Sequence, residues 1–188
     1  MSLENFLQKT RGLFWPEPES PPLPARDTAV VSVLFVCMGN LCRSPMAEGV
    51  LRRMLEEAGL ADKVYVQSAG THSYRVGVMP DPRGLHAAAR RGADLRGIRS
   101  RRVTVEDFAA FDYVLVMDQD NFEFLKTLPT LPEEQAKIRL FLDFAPHLPE
   151  REVPDPYYGG LSGFERVLDL LEEASRGLIQ HLRRHHPL

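Results

Sequence analysis

The sequence is poor in cysteine, in long apolar runs and in excess charge. Its 188 residues include two cysteines and carry a formal net charge of -3. Two cysteines cannot form the disulfide framework of a secreted domain, and the small charge gives no electrostatic basis for binding nucleic acid. No run reaches the roughly 18 apolar residues of a membrane span, and Glu4 and Asn5 interrupt the segment where a signal peptide would begin. We therefore expect a soluble, cytoplasmic, globular protein.

The first 28 residues differ in composition from the rest of the chain. Five prolines between Pro16 and Pro24 exclude regular structure and favour an extended linker. Residues 3–14 have the apolar spacing of one short amphipathic helix. We therefore expect an N-terminal extension over residues 1–28 and one domain over residues 29–188. The extension is either a frayed segment or a helix that docks on the domain, a partner or a membrane surface.

Within the domain, short β-branched apolar runs alternate with helical patterns. The sequence predicts strands over Val30–Val36, Val64–Gln67, Tyr113–Met117 and Ile138–Phe141. It predicts helices over residues 45–58, 85–91 and 121–128, a short helix with a capping box of Thr104 and Asp107, and a last helix with a capping box of Ser162 and Glu165. The long loop Ser68–Gly84 has a length typical of functional loops. Such alternation is typical of an α/β fold with a parallel sheet, which binds ligands at the carboxyl ends of its strands.

The segment Val33–Pro45, V-L-F-V-C-M-G-N-L-C-R-S-P, passes from a buried strand through a short loop into a helix. This arrangement directs backbone N–H groups and the positive end of a helix dipole toward one point. Such a point can bind a tetrahedral oxyanion. Gly39 and Asn40 tolerate the positive φ that lets the N–H groups converge. Because Cys37 begins the loop and Arg43 ends it, we expect a thiol and a guanidinium to face the same small volume.

The spacing of Cys37, Arg43 and Ser44 predicts nucleophilic attack on phosphorus. The thiolate is the reactive form of cysteine, and a helix N-terminus, loop N–H groups and a nearby arginine all favour it. Arg43 can bind two phosphoryl oxygens in parallel, which a lysine cannot. Ser44 can donate a hydrogen bond to the sulfur. A buried structural cysteine followed by an incidental arginine is the alternative.

The general acid must come from another part of the chain, and the candidate is Asp155 in the segment V-P-D-P-Y-Y-G-G. Tyr157 and Tyr158 offer aromatic walls beside it. A plain turn is the alternative reading of Asp beside Pro, and the nucleophile's need for a proton donor favours catalysis. We expect no metal site, because the sulfurs of Cys37 and Cys42 do not complete a zinc site.

Five segments carry a resemblance to a known family: V-L-F-V-C-M-G-N-L-C-R-S-P-M-A-E, S-A-G-T-H, D-P-R at residues 81–83, V-L-V-M-D and D-P-Y-Y-G-G. The chain outside the N-terminal extension resembles the low-molecular-weight protein tyrosine phosphatases. The resemblance implies a Rossmann-like, four-stranded parallel sheet flanked by helices, no cofactor or metal, and hydrolysis of phosphotyrosine in proteins or peptides to inorganic phosphate through a phosphocysteine. It implies three catalytic residues, Cys37, Arg43 and Asp155. It implies the substrate-binding residues Met38, Gly39, Asn40, Leu41, Cys42, Ser44, Tyr74, Tyr157 and Tyr158.

Other activities are open as alternatives. Protein arginine phosphatases of the same family tend to carry Thr at the position of Leu41, and a bulky apolar Leu41 fits an aromatic ring better than a guanidinium. Arsenate reductases share the fold and the loop, but the thioredoxin-coupled kind uses cysteines beyond the loop, whereas Cys37 and Cys42 are the only ones here. A phosphate-binding module without catalysis would be expected to lose Cys37 or Asp155. Phosphotyrosine hydrolysis is therefore the preferred prediction.

The two cysteines also suggest a response to oxidation. Peroxide would convert a thiolate at Cys37 to a sulfenic acid, which could condense with Cys42 to a disulfide. That bond requires Cα atoms roughly 4.4–6.8 Å apart. The alternative is that Cys42 is a small buried residue at the start of the helix.

Overall fold

A computed structural model of the protein describes residues 29–72, 74–128 and 130–188. The extension predicted over residues 1–28, with its helix and linker, lies outside the described residues. No helix within the described ranges is long and apolar enough to cross a bilayer.

Four strands form one parallel sheet in the order β2-β1-β3-β4. They are β1 (Val31–Cys37), β2 (Val64–Gly70), β3 (Tyr113–Val116) and β4 (Ile138–Leu140). Strand β1 lies inside the sheet, and all seven of its residues are buried, as expected for an almost continuous apolar run. The predicted four-stranded parallel sheet is confirmed. Since all four strands point the same way, their carboxyl ends meet at one edge.

Helices cover both faces of the sheet. They are α1 (Arg43–Glu57), α2 (Pro82–Arg90), α3 (Val105–Ala110), α4 (Gln119–Lys126), α5 (Pro132–Gln135) and α6 (Leu161–His185), with a 3-10 turn over Phe141–Phe144. Alternate side chains of β1 enter two separate cores. Phe35 packs in the core shared with α1, α2 and α6, whereas Leu34 packs in the core shared with α3 and α4. The result is the predicted arrangement of a parallel sheet flanked by helices.

Several element ends differ from the sequence prediction. Helix α6 is preceded by Gly160 rather than by a capping Ser162, because the amide of Gly163 already bonds to the Gly160 carbonyl at 3.0 Å. Helix α1 begins at Arg43, two residues before the predicted Pro45, since the Met46 amide bonds to the Cys42 carbonyl. The capping box at α3 is confirmed, with the Thr104 amide donating to the Asp107 carboxylate at 2.8 Å.

The predicted long loop after β2 is shorter than expected. Strand β2 continues to Gly70, and α2 begins at Pro82 rather than Leu85. Both extensions have a local cause. The Asp81 carboxylate accepts the Arg83 amide at 2.9 Å as an N-cap, and proline suits the first helical position because its missing N–H needs no partner there.

Candidate active site

The loop between β1 and α1 lies at the carboxyl edge of the sheet and reverses direction at Asn40. Asn40 is the one non-glycine residue with positive φ, 53°, within the described ranges. Its amide nitrogen donates to the hydroxyls of Ser44 and Ser68, at 2.9 Å each, and its amide oxygen accepts the Arg101 backbone N–H at 2.9 Å. These three bonds stabilise a backbone conformation that costs most residues free energy. The parallel expectation of a positive φ at Gly39 is wrong, because Asn40 alone makes the reversal.

The end of β2 packs directly against this loop at Gly70. A Cβ atom on Gly70 would lie 2.8 Å from the Met38 carbonyl oxygen, closer than real Cβ contacts allow. The two residues after β2 then bind the loop, with the Thr71 amide donating to the Cys37 carbonyl and the His72 amide to the Met38 carbonyl. The glycine of S-A-G-T-H is therefore needed for close backbone approach.

The Cys37 thiol is buried at the base of the loop, and its sulfur lies 3.0 Å from the Ser44 hydroxyl oxygen. Ser44 accepts the Asn40 amide, so its single proton can be donated either to the sulfur or to the Ala69 carbonyl oxygen at 3.2 Å. The structure thus places the predicted hydroxyl donor beside the predicted nucleophile.

A buried carboxylate, which the sequence analysis missed, supports this network from below. Glu48 on α1 accepts the Ser68 hydroxyl at 2.6 Å and pairs with Arg52 at 2.6 Å. Burial raises the pKa of Glu48 above its ordinary value, while Arg52 and the Ser68 hydroxyl oppose that rise. Glu48 therefore fixes Ser68, and through it the amide of Asn40. The sequence offered one signal for Glu48, namely its position in the segment R-S-P-M-A-E.

The Arg43 guanidinium is almost fully buried and makes three contacts. One nitrogen donates to the Asp118 carboxylate at 2.5 Å and to the Val153 carbonyl at 3.1 Å, and another donates to the Asp155 carboxylate at 3.1 Å. Burial lowers the pKa of Arg43, but Cys37, Asp118 and Asp155 outweigh it and raise that pKa above its ordinary value. Arg43 is thus a permanent cation beside the sulfur.

Asp118, also missed by the sequence analysis, connects this arginine to the fold. It follows β3, and its second carboxylate oxygen accepts the Asn121 amide at 2.7 Å as the N-cap of α4. One carboxylate therefore orients Arg43 and begins a helix. The sequence signal for Asp118 was the position of its carboxylate at the end of the segment V-L-V-M-D.

Asp155 lies at the mouth of the loop, where its side chain is 41% exposed. One carboxylate oxygen accepts the Tyr157 amide at 3.1 Å and the other accepts from Arg43. A carboxyl group that is reachable by solvent and within hydrogen-bonding distance of the buried Arg43 is suitably placed to exchange protons with a group bound above the loop.

Above the loop is a cavity of about 280 Å³. Most predicted site residues line it, whereas Asn40 and Ser44 lie beneath the loop as its supports. Arg75 also lines the cavity and was not predicted. Among the described residues, the lining consists of Cys37, Met38, Gly39, Leu41, Cys42, Arg43, Tyr74, Arg75, Asp155, Tyr157 and Tyr158.

Both cysteines are free thiols. Burial, together with the negative charges of Asp81 and Cys37, raises the pKa of Cys42 to about 12, so Cys42 remains protonated at neutral pH. The disulfide between Cys37 and Cys42 stays a prediction. Across the part of the chain that the structure describes, no three His, Cys, Asp or Glu side chains are grouped so as to hold a metal ion.

Comparison with known proteins identifies the family. Residues 32–188 match the family model described as low molecular weight phosphotyrosine protein phosphatase. A low molecular weight protein-tyrosine-phosphatase from Streptomyces coelicolor is 40% identical over 153 residues, which cover 80% of this chain and 93% of that protein.

Solved structures agree with the sequence comparison. A protein tyrosine phosphatase from Entamoeba histolytica superposes with a TM-score of 0.78 at 41% identity, over 82% of this chain and 98% of that one. The YwlE arginine phosphatase, a mutant with a phosphorylated active site serine, gives a TM-score of 0.73 at 27% identity, over 82% and 97% of the two chains. The chain therefore belongs to the low molecular weight phosphotyrosine protein phosphatases and is a cysteine-based phosphatase of that family.

Proposed function

We propose that this protein hydrolyses phosphotyrosine in proteins or peptides in the cytoplasm, with Cys37 as nucleophile, Arg43 as phosphate clamp and Asp155 as general acid and base. One observation carries the proposal. Cys37, Arg43 and Asp155 all line one cavity, above a loop whose shape is fixed from below.

In the first step, the phosphoryl oxygens accept hydrogen bonds from the loop N–H groups and from Arg43. The Arg43 nitrogen that contacts Asp155 without substrate turns to a phosphoryl oxygen, which leaves the Asp155 carboxyl free to face the leaving group. The Cys37 thiolate then attacks phosphorus in line, so that a sulfur–phosphorus bond forms as the phosphorus–oxygen bond breaks. Asp155 gives its proton to the departing phenolic oxygen.

In the second step, water hydrolyses the phosphocysteine. Asp155, now a carboxylate, takes a proton from the water as its oxygen bonds to phosphorus. The sulfur leaves as a thiolate, and the Ser44 hydroxyl is within reach to donate a hydrogen bond to it. Inorganic phosphate departs, and Cys37 and Asp155 regain their starting protonation states.

The walls of the cavity favour an aromatic substrate. Leu41, Tyr74 and Tyr157 present apolar surface to it, and phenolate is a better leaving group than an alkoxide because the pKa of tyrosine is about 10. We expect initial rates on phosphotyrosine peptides to exceed those on phosphoserine peptides by on the order of a hundredfold or more. The rates should not change with EDTA. Faster hydrolysis of phosphoarginine peptides would contradict the proposed substrate and favour an activity like that of the YwlE arginine phosphatase.

The role of Asp155 is tested with aryl phosphates that differ in leaving-group pKa. Asp155→Asn should slow poor leaving groups far more than good ones, because an oxygen of high basicity depends most on a proton donor. The measurement is kcat/KM across the series for the wild type and the variant, because kcat also contains the hydrolysis of the phosphocysteine, which is the same for every substrate. An equal loss across the series would show that Asp155 only shapes the turn.

A further inference from the structure

Two arginines hold the acid turn, by which we mean residues 153–160, from opposite ends. Arg43 contacts its beginning at Val153 and Asp155. Arg83 contacts its later part, donating to the Tyr157 carbonyl at 3.0 Å and to the Gly159 carbonyl at 3.2 Å. Within the described ranges, these two bonds from Arg83 are the hydrogen bonds that reach residues 156–159 from outside the turn. The second half of the turn therefore depends on Arg83 for its polar contacts with the rest of the domain.

Arg83 is itself held in one orientation by Asp81. The Asp81 carboxylate accepts three bonds from Arg83, from the backbone N–H at 2.9 Å, from Nε at 3.0 Å and from Nη2 at 2.8 Å. Asp81 in turn donates its backbone N–H to the Leu41 carbonyl of the phosphate-binding loop at 2.8 Å. A continuous chain of hydrogen bonds thus joins the phosphate-binding loop to the acid turn.

Ring contacts fix the guanidinium from a second side. Its central carbon lies 4.8 Å from the ring centroid of the buried Phe164 and 5.7 Å from that of Tyr157. Cations placed over aromatic faces at these distances are attracted to the ring. Arg83 does not line the cavity above the loop, so its contacts serve the protein and not the substrate.

We propose that Arg83 is a positioning residue that keeps Asp155 aligned with the leaving oxygen, an inference that rests on the proposed role of Asp155. When Arg43 turns to the phosphoryl oxygens, Asp155 loses that ion pair at the moment when its position matters most. The contacts of Arg83 are unaffected by this change, because they join Asp81 to the far end of the turn. A displacement of about 1 Å at a reacting group can cost on the order of a hundredfold in rate, so an anchor that persists in the complex has a measurable effect.

The chain offers a matched control in Arg96. Arg96 makes the same three bonds to Asp94, from its backbone N–H at 2.9 Å, from Nε at 2.9 Å and from Nη2 at 2.8 Å. This second pair is exposed, and within the described ranges it makes no contact with the acid turn. Arg96→Ala therefore removes an equivalent local pair with no route to Asp155.

The test measures kcat/KM over aryl phosphates of graded leaving-group pKa, because kcat/KM reports the step in which the leaving oxygen departs. Arg83→Ala should lower kcat/KM about tenfold for the poorest leaving groups and less than about twofold for the best. Arg96→Ala should follow the wild type throughout. Arg83→Lys keeps the charge and the apolar stem but cannot donate to both carbonyls and to Asp81. Its rate on poor leaving groups should therefore lie between those of the wild type and Arg83→Ala. If the melting temperature shows that Arg83→Ala folds poorly, Arg83→Lys takes its place in the test.

A double variant separates positioning from a general structural loss. In the Asp155→Asn background, Arg83→Ala should cost nothing further, because Arg83 acts through Asp155. A further loss in the double variant, a uniform loss across leaving groups, or an Arg83→Lys enzyme equal to the wild type would overturn the inference. If the loss of rate in Asp155→Asn did not depend on the leaving group, the proposed role of Asp155 would be wrong, and the inference about Arg83 would be wrong with it. The single Asp155→Asn variant is sufficient to reveal that outcome.

Discussion

Cys37→Ser is expected to abolish the turnover of aryl phosphates while leaving phosphate and vanadate binding measurable. A serine hydroxyl is scarcely ionised at neutral pH, so the nucleophile is lost. The oxyanion site remains, because Asn40, Ser68 and Gly70 shape the loop without using the sulfur. The measurement is the rate on an aryl phosphate, together with calorimetric titration of phosphate.

The phosphate titration is the control that shows whether the site of the Cys37→Ser variant is intact. A variant that binds phosphate yet keeps more than about one hundredth of the wild-type rate would overturn the assignment of the nucleophile. Loss of both turnover and binding would show that the sulfur is needed for the loop to hold its shape.

Arg43→Lys is expected to lower kcat by at least about a hundredfold, although the charge is preserved. The guanidinium has enough donors to contact Asp118, the Val153 carbonyl and an oxygen at the position of Asp155 at once. A lysine ammonium at one point cannot do so, and it cannot bind two phosphoryl oxygens in parallel. The measurement is kcat with a good leaving group, for which general acid help matters least.

A companion variant separates orientation of the arginine from its charge. Asp118→Asn keeps an oxygen for the α4 cap but weakens the bond to Arg43, so we expect a smaller loss than for Arg43→Lys. A lysine variant within tenfold of the wild type would show that a positive charge is sufficient and that the fork of donors is not required.

The sequence predicted the sheet because its strands are short apolar runs whose burial needs no tertiary information. It was less accurate at helix ends, where tertiary contacts compete with local preference. Ser162 has a capping side chain, but the turn that ends at Gly160 places the helix start two residues earlier. Arg43 became the first residue of α1 rather than part of the loop, because the loop reverses at Asn40 and the helix can begin sooner.

The proposed nucleophile and phosphate clamp could be suggested from the sequence because Cys37 and Arg43 lie within one short segment. Asp155 is 112 residues from Arg43 in sequence, and it was suggested by the chemical need for a proton donor and by the resemblance of D-P-Y-Y-G-G to the family. Glu48, Asp118 and Arg83 lie in segments that the sequence analysis quoted, but no chemical requirement pointed to them. Each acts by holding another side chain or backbone group, so its importance depends on which elements meet at the carboxyl edge of the sheet.

The close approach of Gly70 to the loop between β1 and α1 ties catalytic competence to the order of folding. The loop has its backbone partners only after β2 has paired with β1, since Thr71 and His72 bond to the carbonyls of Cys37 and Met38. Those partners are absent from an intermediate in which α1 has formed but β2 is still undocked. In a refolding experiment, the return of enzymatic activity would therefore report when these two strands pair, independently of the recovery of helical signal.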